Sequence, residues 1–581
     1  MSGTLISSLV WVPRGKAALQ PKKYTLDEAE LERVGKLGGP GALEKLREEM
    51  AAAEGGDETW EDLDEDDDNE DSDEDEDEEK PDGMEGVTDG LDGMDVDEEE
   101  KKPRKKASSD PNDLSAFNMD EYDEEESGGV AMGAFANVKG LTYYRDNDED
   151  PYITLKENDD DLEGEELALL SSDNMIISAR TTSDLSSLDF HIYNEPDENL
   201  YVHHDLMLPA FPLCVEWLDF PGSGSADSSA SGSYIAVGSF DPSIEIWDAD
   251  MVDGLYPHAI LGPSPHLEKP EAKPKGTGKK KKKQMVQPTA NAEHHVQPVL
   301  TLSWSPYHRN LLLSGSADAT IKLWDLTRES PMAALRSWDS IHGGEKIQAV
   351  EWNKGAQAAS AGLERAVLSA GWDRTVKVWD SRAVDDAIGL KMGSDVECVR
   401  WDPWEAHSFF VSLENGLILA YDSRVLPSSL TQSTSGKLST APAKYTLSAH
   451  DGAAGALDIN PHIRGCIATG GMDKLVKVWN VSDEESEGVK GRKREISLAT
   501  SRDLGVGKVF TARWSPDADA PLTLAAAGSK ATLQIWDVAS NPGARSAFGS
   551  RLKRLGRELG EIKGSGGVVG VADDSEDEEE E

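Results

Sequence analysis

The residues whose types could do chemistry recur in sets. His342, Ser369 and Asp373 precede Trp379, and His450, Thr469 and Asp473 precede Trp479. Ser314 and Asp318 precede Trp324, with His294 or His295 upstream. An imidazole near a carboxylate is the pairing that moves protons in acid–base catalysis. Yet the set is written more than once, each time closing on a tryptophan, and repetition argues for architecture. No GxxxxGKS run that would cradle phosphate occurs, and no GxSxG elbow, HExxH pair or deaminase-type cysteine cluster. Acidic pairs abound, but mostly in tracts that cannot hold two carboxylates at a fixed separation. The expectation is a non-enzyme with no cofactor, no metal and no small-molecule substrate.

Each set belongs to a longer phrase, an aliphatic strand ending in Trp-Asp. SGSADATIKLWD ends at Asp325, LSAGWDRTVKVWD at Asp380 and IATGGMDKLVKVWN at Asn480. Weaker copies end at Asp248, Asp422 and Asp537. In each, apolar and polar residues alternate with period two on both sides of a tight turn, the pattern of a half-buried hairpin. Such repeats resemble WD40 repeats, in which one copy supplies about one four-stranded blade. The fold class expected is all-β: a seven-bladed WD40 β-propeller with a long disordered acidic insertion and tail.

The WD40 resemblance implies roles for the recurring sets. Aspartate in the turn orients histidine, histidine reaches serine or threonine, and that hydroxyl reaches the indole N–H, so buried polar groups satisfy one another. On this reading His342, Ser369, Asp373 and Trp379 are structural, as are His450, Thr469, Asp473 and Trp479, and Ser314, Asp318 and Trp324. Other blades depart. The second has Asp241 and Trp247 but Val237 at the hydroxyl position, the fifth has Tyr421 for tryptophan, and the seventh has Lys530 near the expected aspartate.

The first blade is irregular. Asn174 to Asn194 has the form of a blade's later strands, with no opening strand just upstream. LISSLVWVPRG at the N-terminus has the wording of that strand, with Trp11 and Pro13 placed like Trp304 and Pro306. A ring protects its sheet edges only when every blade is complete. Residues 1–15 are therefore expected to complete blade one; a loose strand or partner-binding peptide is the alternative. Residues 16–140 are expected to be an acidic, largely disordered insertion with short helices, 141–540 the propeller with a basic loop at about 262–292, and 541–581 a basic helix and acidic tail. Within the insertion, Thr25 to Glu28 reads as a capping box leading Leu31 and Val34, and Leu43, Leu46 and Met50 share a second helical face. After the last blade, Phe548 to Lys563 reads as an amphipathic helix with Leu552, Leu555 and Leu559 on one side, either capping the ring or docking on RNA or an acidic surface.

Net charge is −53, from 111 acidic and 58 basic residues. The excess sits mainly in residues 57–100 and the last ten, which cannot bury enough apolar surface to offset chain entropy. Ser72 and Ser575 lie amid these acids and suit acid-directed kinases. Two compact basic runs stand apart. Lys101, Lys102, Arg104, Lys105 and Lys106 form one; Lys279, Lys280, Lys281, Lys282 and Lys283 form the other. Such runs engage an import receptor or a phosphate backbone. Cys214, Cys398 and Cys466 form no paired framework, which fits a reducing compartment. No apolar run is long enough to cross a bilayer, so no membrane partner is expected.

Four phrases narrow the resemblance. LVWVPRG (Leu9 to Gly15), NDEDPYITL (Asn147 to Leu155), HHDLMLPAFPLCVEWLDF (His203 to Phe220) and YIAVGSFDPSIEIWD (Tyr234 to Asp248) resemble, in this order, the periodic tryptophan protein 1 family. The resemblance implies a nuclear and nucleolar WD40 scaffold in ribosome biogenesis, acting in pre-rRNA processing and large (60S) subunit assembly. Pre-60S particle proteins and pre-rRNA would be its partners, with histones or other basic proteins held by the acidic tracts. The alternative it implies is a histone-binding protein at ribosomal DNA. A further reading rests on Trp379-Asp380-Ser381-Arg382 and Tyr421-Asp422-Ser423-Arg424, which resemble the boxes of cullin ubiquitin-ligase receptors; the plainer account is that each arginine pairs with a neighbouring carboxylate.

Overall fold

The computed structural model describes residues 4–25, 28–37, 167–183, 185–220, 231–263, 290–330, 332–427, 441–485, 492–554, 556 and 566–571. Among them, seven four-stranded antiparallel sheets form the seven blades of a β-propeller. Blades two to six each run in chain order from inner to outer strand. The inner strands touch in sequence around the ring, and that of blade seven (Val509–Trp514) touches that of blade one (Leu5–Val12).

Blade one takes its inner strand from the N-terminus. Leu5–Val12 pairs antiparallel with Asn174–Thr182, with Leu9 opposite Ser178 and Trp11 opposite Ile176. Leu185–Asn194 and Asn199–Leu208 complete the sheet. Ile6 and Leu9 are fully buried because this strand is flanked by two other blades. Trp11 also clasps blade seven, its indole donating to the carbonyl of Arg513 at 3.0 Å.

The core lies between blades. Leu368 and Val376 of blade four pack with Val399, Trp401 and Phe409 of blade five. Second strands are therefore covered on both faces, and Ala366–Gly371 and Thr523–Gly528 are buried at every position. Glycine near the end of such a strand admits the next blade. A Cβ on Gly315 would meet Ile347 at 2.7 Å, and one on Gly470 would meet Val509 at 2.5 Å.

Two boundaries differ from the sequence expectation. Residues 16–25 and 28–37 join the propeller: Lys22–Lys23 pair in parallel with Met251–Val252, and the helix Glu28–Leu37 buries Val34 and Leu37. Arg33 ties this helix to blade two through the carbonyls of Pro257 and His258, both at 2.9 Å, which gives an otherwise polar segment fixed partners. The helix candidate at Leu43, Leu46 and Met50 lies outside the described residues.

The ring also does not end at 540, because Val568–Gly570 pairs with Leu533–Asp537 as the outer strand of blade seven. The intervening helix is Pro542–Arg554, six residues ahead of the expected start. Asn541 caps it by accepting from the backbone N–H of Gly543 at 2.8 Å, and proline suits the first turn. Ala544, Phe548 and Leu552 recur every fourth residue and are buried in the shared core of blades six and seven. Leu555 and Leu559 lie outside the described residues.

Candidate interaction surfaces

The structure brings each recurring set together. In blade four, His342 Nε2 lies 2.9 Å from Ser369 Oγ, its Nδ1 lies 3.2 Å from Asp373, and the Trp379 indole donates to Ser369 at 3.1 Å. Blade six matches: His450 Nε2 to Thr469 Oγ1 is 2.9 Å, Nδ1 to Asp473 is 2.9 Å, and Trp479 donates to Thr469 at 3.1 Å. In blade three the histidine is His295, not His294: it lies 2.7 Å from Ser314 and 3.0 Å from Asp318, and Trp324 donates to Ser314 at 2.7 Å.

One proton arrangement satisfies the whole chain. The indole N–H fills one lone pair of the hydroxyl, the hydroxyl donates to Nε2, and Nδ1–H donates to aspartate. The histidine is then neutral. Burial lowers the pKa of His295 and His450, in agreement. Burial pushes Asp318 and Asp373 upward, but the bonds from histidine and threonine outweigh it and hold both below the usual carboxylate range. Ser314, Ser369 and Thr469 are fully buried, so no substrate reaches their hydroxyls.

Sequence reasoning missed one member of these sets. Lys322, Lys377 and Lys477 stand opposite Ser314, Ser369 and Thr469. Their ammonium groups donate to the carbonyls of Asn291, Ile341 and Ala449, on the segments that carry the histidines. Lys322 is fully buried. The signal was the lysine two residues before tryptophan in IKLWD, VKVWD and VKVWN.

The antiparallel strands sort the loops onto two faces. The turns carrying Asp318, Asp373 and Asp473 lie on one face, the upper, with the segments carrying His295, His342 and His450. Large apolar side chains stand there in alternate blades. Phe240, Trp372 and Met472 each precede the turn aspartate, in blades two, four and six, and are 56%, 55% and 43% exposed. Phe240 leans on Phe211 with ring centroids 5.3 Å apart. The Lys346 ammonium lies 4.4 Å from the Trp372 ring centroid, and the indole donates to Gln348 at 2.9 Å. These contacts hold the aromatic rings out toward solvent, where a partner could cover them. Their signal in the sequence was the residue before each turn aspartate in GSFDPS, GWDRT and GMDK.

The arginines of the two receptor-like boxes are engaged locally. Arg382 forks onto Asp380 at 3.0 and 2.7 Å, and Arg424 onto Asp422 at 2.9 and 2.6 Å. This is the plainer account of those motifs. The basic runs at Lys101 to Lys106 and Lys279 to Lys283, with Ser72 and Ser575, lie outside the described residues. Cys214, Cys398 and Cys466 are unpaired, and burial pushes their thiol pKa values up.

Comparison with known proteins agrees with this architecture. The "WD domain, G-beta repeat" family matches residues 287–325, 341–380 and 442–480, which end on blades three, four and six. The chain is 36% identical to an uncharacterized WD repeat-containing protein of Schizosaccharomyces pombe, over 94% of this chain and 92% of that one. It is 31% identical to Periodic tryptophan protein 1 of Saccharomyces cerevisiae, over 99% of this chain and 98% of that one. A more distant similarity, 24% identity over 44% of this chain and 52% of the other, is to the Ribosome biogenesis protein WDR12 homolog of Ixodes scapularis. Near full-length coverage places the N-terminal strand, the propeller and the C-terminal segment within a single alignment, and the chain belongs to the periodic tryptophan protein 1 family.

Proposed function

We propose that the protein is a non-catalytic scaffold of ribosome biogenesis, acting in the nucleus and nucleolus in pre-rRNA processing and large-subunit assembly. The observation that carries this reading is the upper face, where the large apolar side chains Phe240, Trp372 and Met472 are exposed to solvent, Trp372 beside the Lys346 ammonium. Such a surface fits docking onto a particle protein, since aromatic anchors ringed by polar groups dominate interface energies. The similarity to a relative named a ribosome biogenesis protein supports the assembly role. The buried hydroxyls of the histidine sets support a non-catalytic role. The basic runs would supply nuclear import or phosphate contacts, and the acidic tracts would hold basic partners, with phosphate at Ser72 and Ser575 deepening their charge.

The test is rapid depletion followed by complementation. Depletion should raise rRNA precursors and lower large subunits. Restoring wild type should reverse both, and a Phe240→Ala, Trp372→Ala, Met472→Ala triple variant should not, although it accumulates as folded protein. Unchanged precursor profiles on depletion would defeat the assembly role, and full rescue by the triple variant would defeat the upper face as its docking surface.

A further inference from the structure

A second surface lies on the opposite face. A groove of about 970 Å³ opens where the lower loops of blades five and six meet the helix Pro542–Arg554. Its floor is apolar, built from the buried Phe410, Ile459 and Ile467. One wall is the helix, which turns small side chains toward it at Ser546, Ala547 and Ser550. Gly465 shapes the opposite lip. It has φ +75°, and a Cβ there would meet the Val481 carbonyl at 1.9 Å.

The charge of this groove runs against that of the chain. Five lysines and arginines line it against three carboxylates, in a protein of net charge −53. Of those carboxylates, Glu405 is already bound by Lys444 at 2.9 Å and Arg464 at 2.5 Å. Burial pushes Asp402 up to about 6. The helix end contributes two further cations, Arg551 and Arg554. Arg551 donates to the carbonyl of Arg464 at 2.6 Å and to Asn480 Oδ1 at 2.7 Å, and Arg554 to the carbonyl of Ser550 at 3.4 Å. Among the described residues, neither has a carboxylate partner. Arg551 is half-buried, and both burial and the neighbouring Arg554 lower its pKa. A desolvated guanidinium facing only neutral acceptors is costly, and a carboxylate brought by a ligand relieves that cost.

We propose that this groove binds an acidic peptide segment of a partner protein, its carboxylates on Arg551 and Arg554 and an apolar side chain on the Phe410 floor. The observations favour peptide over single-stranded RNA. Bases bind by stacking on open aromatic faces. Here the Arg494 guanidinium covers the Tyr445 ring at 5.0 Å, and Trp404 is fixed by donating to the carbonyl of Asn460 at 2.9 Å. The floor is lined by Phe410, Ile459 and Ile467, apolar side chains that offer no exposed aromatic face. This proposal does not depend on which assembly the protein serves.

The test is fluorescence anisotropy on the full-length protein. The probes are a labelled fourteen-residue peptide of Asp, Glu, Leu and Phe, its Asn/Gln counterpart and a twelve-nucleotide oligouridine. The acidic peptide should bind at least tenfold tighter than the amide peptide and the oligouridine. An Arg551→Glu, Arg554→Glu variant should weaken it at least tenfold. Ser546→Trp, at an exposed groove position, should block it with both arginines in place, which keeps the test sound if the charge reversal unfolds the helix. Trp372→Ala, on the upper face, should leave binding unchanged. Equal binding of acidic and amide peptides, tighter binding of oligouridine, or insensitivity to Ser546→Trp in a variant that unfolds like wild type would overturn the proposal.

Discussion

The indole of Trp247 donates to Glu245 at 3.1 Å, two residues earlier on the same strand. Blades three, four and six use a serine or threonine hydroxyl for this task, but blade two has Val237 there. Glu245 stands opposite Val237, where those blades carry lysine, so blade two exchanges a cation for a half-buried acid that serves its tryptophan.

This exchange gives stability a pH dependence. Burial pushes the Glu245 pKa up to about 7. The folded state therefore holds the proton more tightly than the unfolded chain, whose glutamate titrates at about 4.3. The stabilisation is fully present below that value and is lost as pH rises through 7. Glu245→Gln keeps an acceptor for the indole and removes the titration. The variant should match wild type near pH 4 and exceed it by about 1–3 kcal/mol at pH 8. Urea unfolding followed by tryptophan fluorescence measures both, and a gap that stays constant across this range would refute the assignment.

Blade seven shows the opposite lapse. Ala526 occupies the hydroxyl position, and the buried Trp536 indole has no hydrogen-bond partner among the described residues. Ala526→Ser adds one oxygen beside that N–H and should stabilise the protein by about 1 kcal/mol. The same substitution in a Trp536→Phe background should give no gain. A gain of equal size there would show that the serine acts elsewhere.

The reverse change in blade six should be destabilising. Thr469→Val preserves shape but strands both the Trp479 N–H and His450 Nε2, which now share the hydroxyl. Leaving buried polar groups unmatched costs about 1–3 kcal/mol. Thermal melts should show the loss, and a double-mutant cycle with Trp479→Phe should show coupling. A cost that persists undiminished when Trp479→Phe is already in place would put the effect outside this network.

How much of this was legible in the sequence depends on what carries the information. The repeat phrase encodes local hairpins, so its copies could be counted along the chain, and the blades and the sets around His342 and His450 followed from the resemblance of those copies to WD40 repeats. The N-terminal strand could be read from an analogy, Trp11 and Pro13 placed like Trp304 and Pro306. The choice between His294 and His295 could not, because neighbouring residues point to opposite sides and only the packed loop decides. Lys322 carries no local mark of its burial, since nothing in its own strand shows that it donates to the Asn291 carbonyl. Val568–Gly570 was missed for a related reason: three residues after a long connection carry too little pattern, and their pairing is set by Leu533–Asp537. The groove at Arg551 draws on two blades and a helix, and no window of the chain contains it.

The two ends of the chain complete different positions in their blades, and this predicts unequal costs for removing them. Leu5–Val12 is an inner strand that touches the inner strands of blades two and seven, and it buries Ile6, Leu9 and Trp11. Val568–Gly570 is a three-residue outer strand whose side chains are only half-buried. Deleting residues 1–12 should therefore open the ring, expose the inner edges of two blades and yield aggregating protein. Truncation after residue 565 should leave a closed ring with a lower melting temperature. Trp11→Ala offers a graded version, removing the indole that donates to Arg513 across the closure and costing about 3–5 kcal/mol. Limited proteolysis distinguishes the outcomes, since an opened ring should be cut between blades while the C-terminal truncation resists. Equal resistance of the two deletion variants would mean that the N-terminal strand does not hold the ring closed.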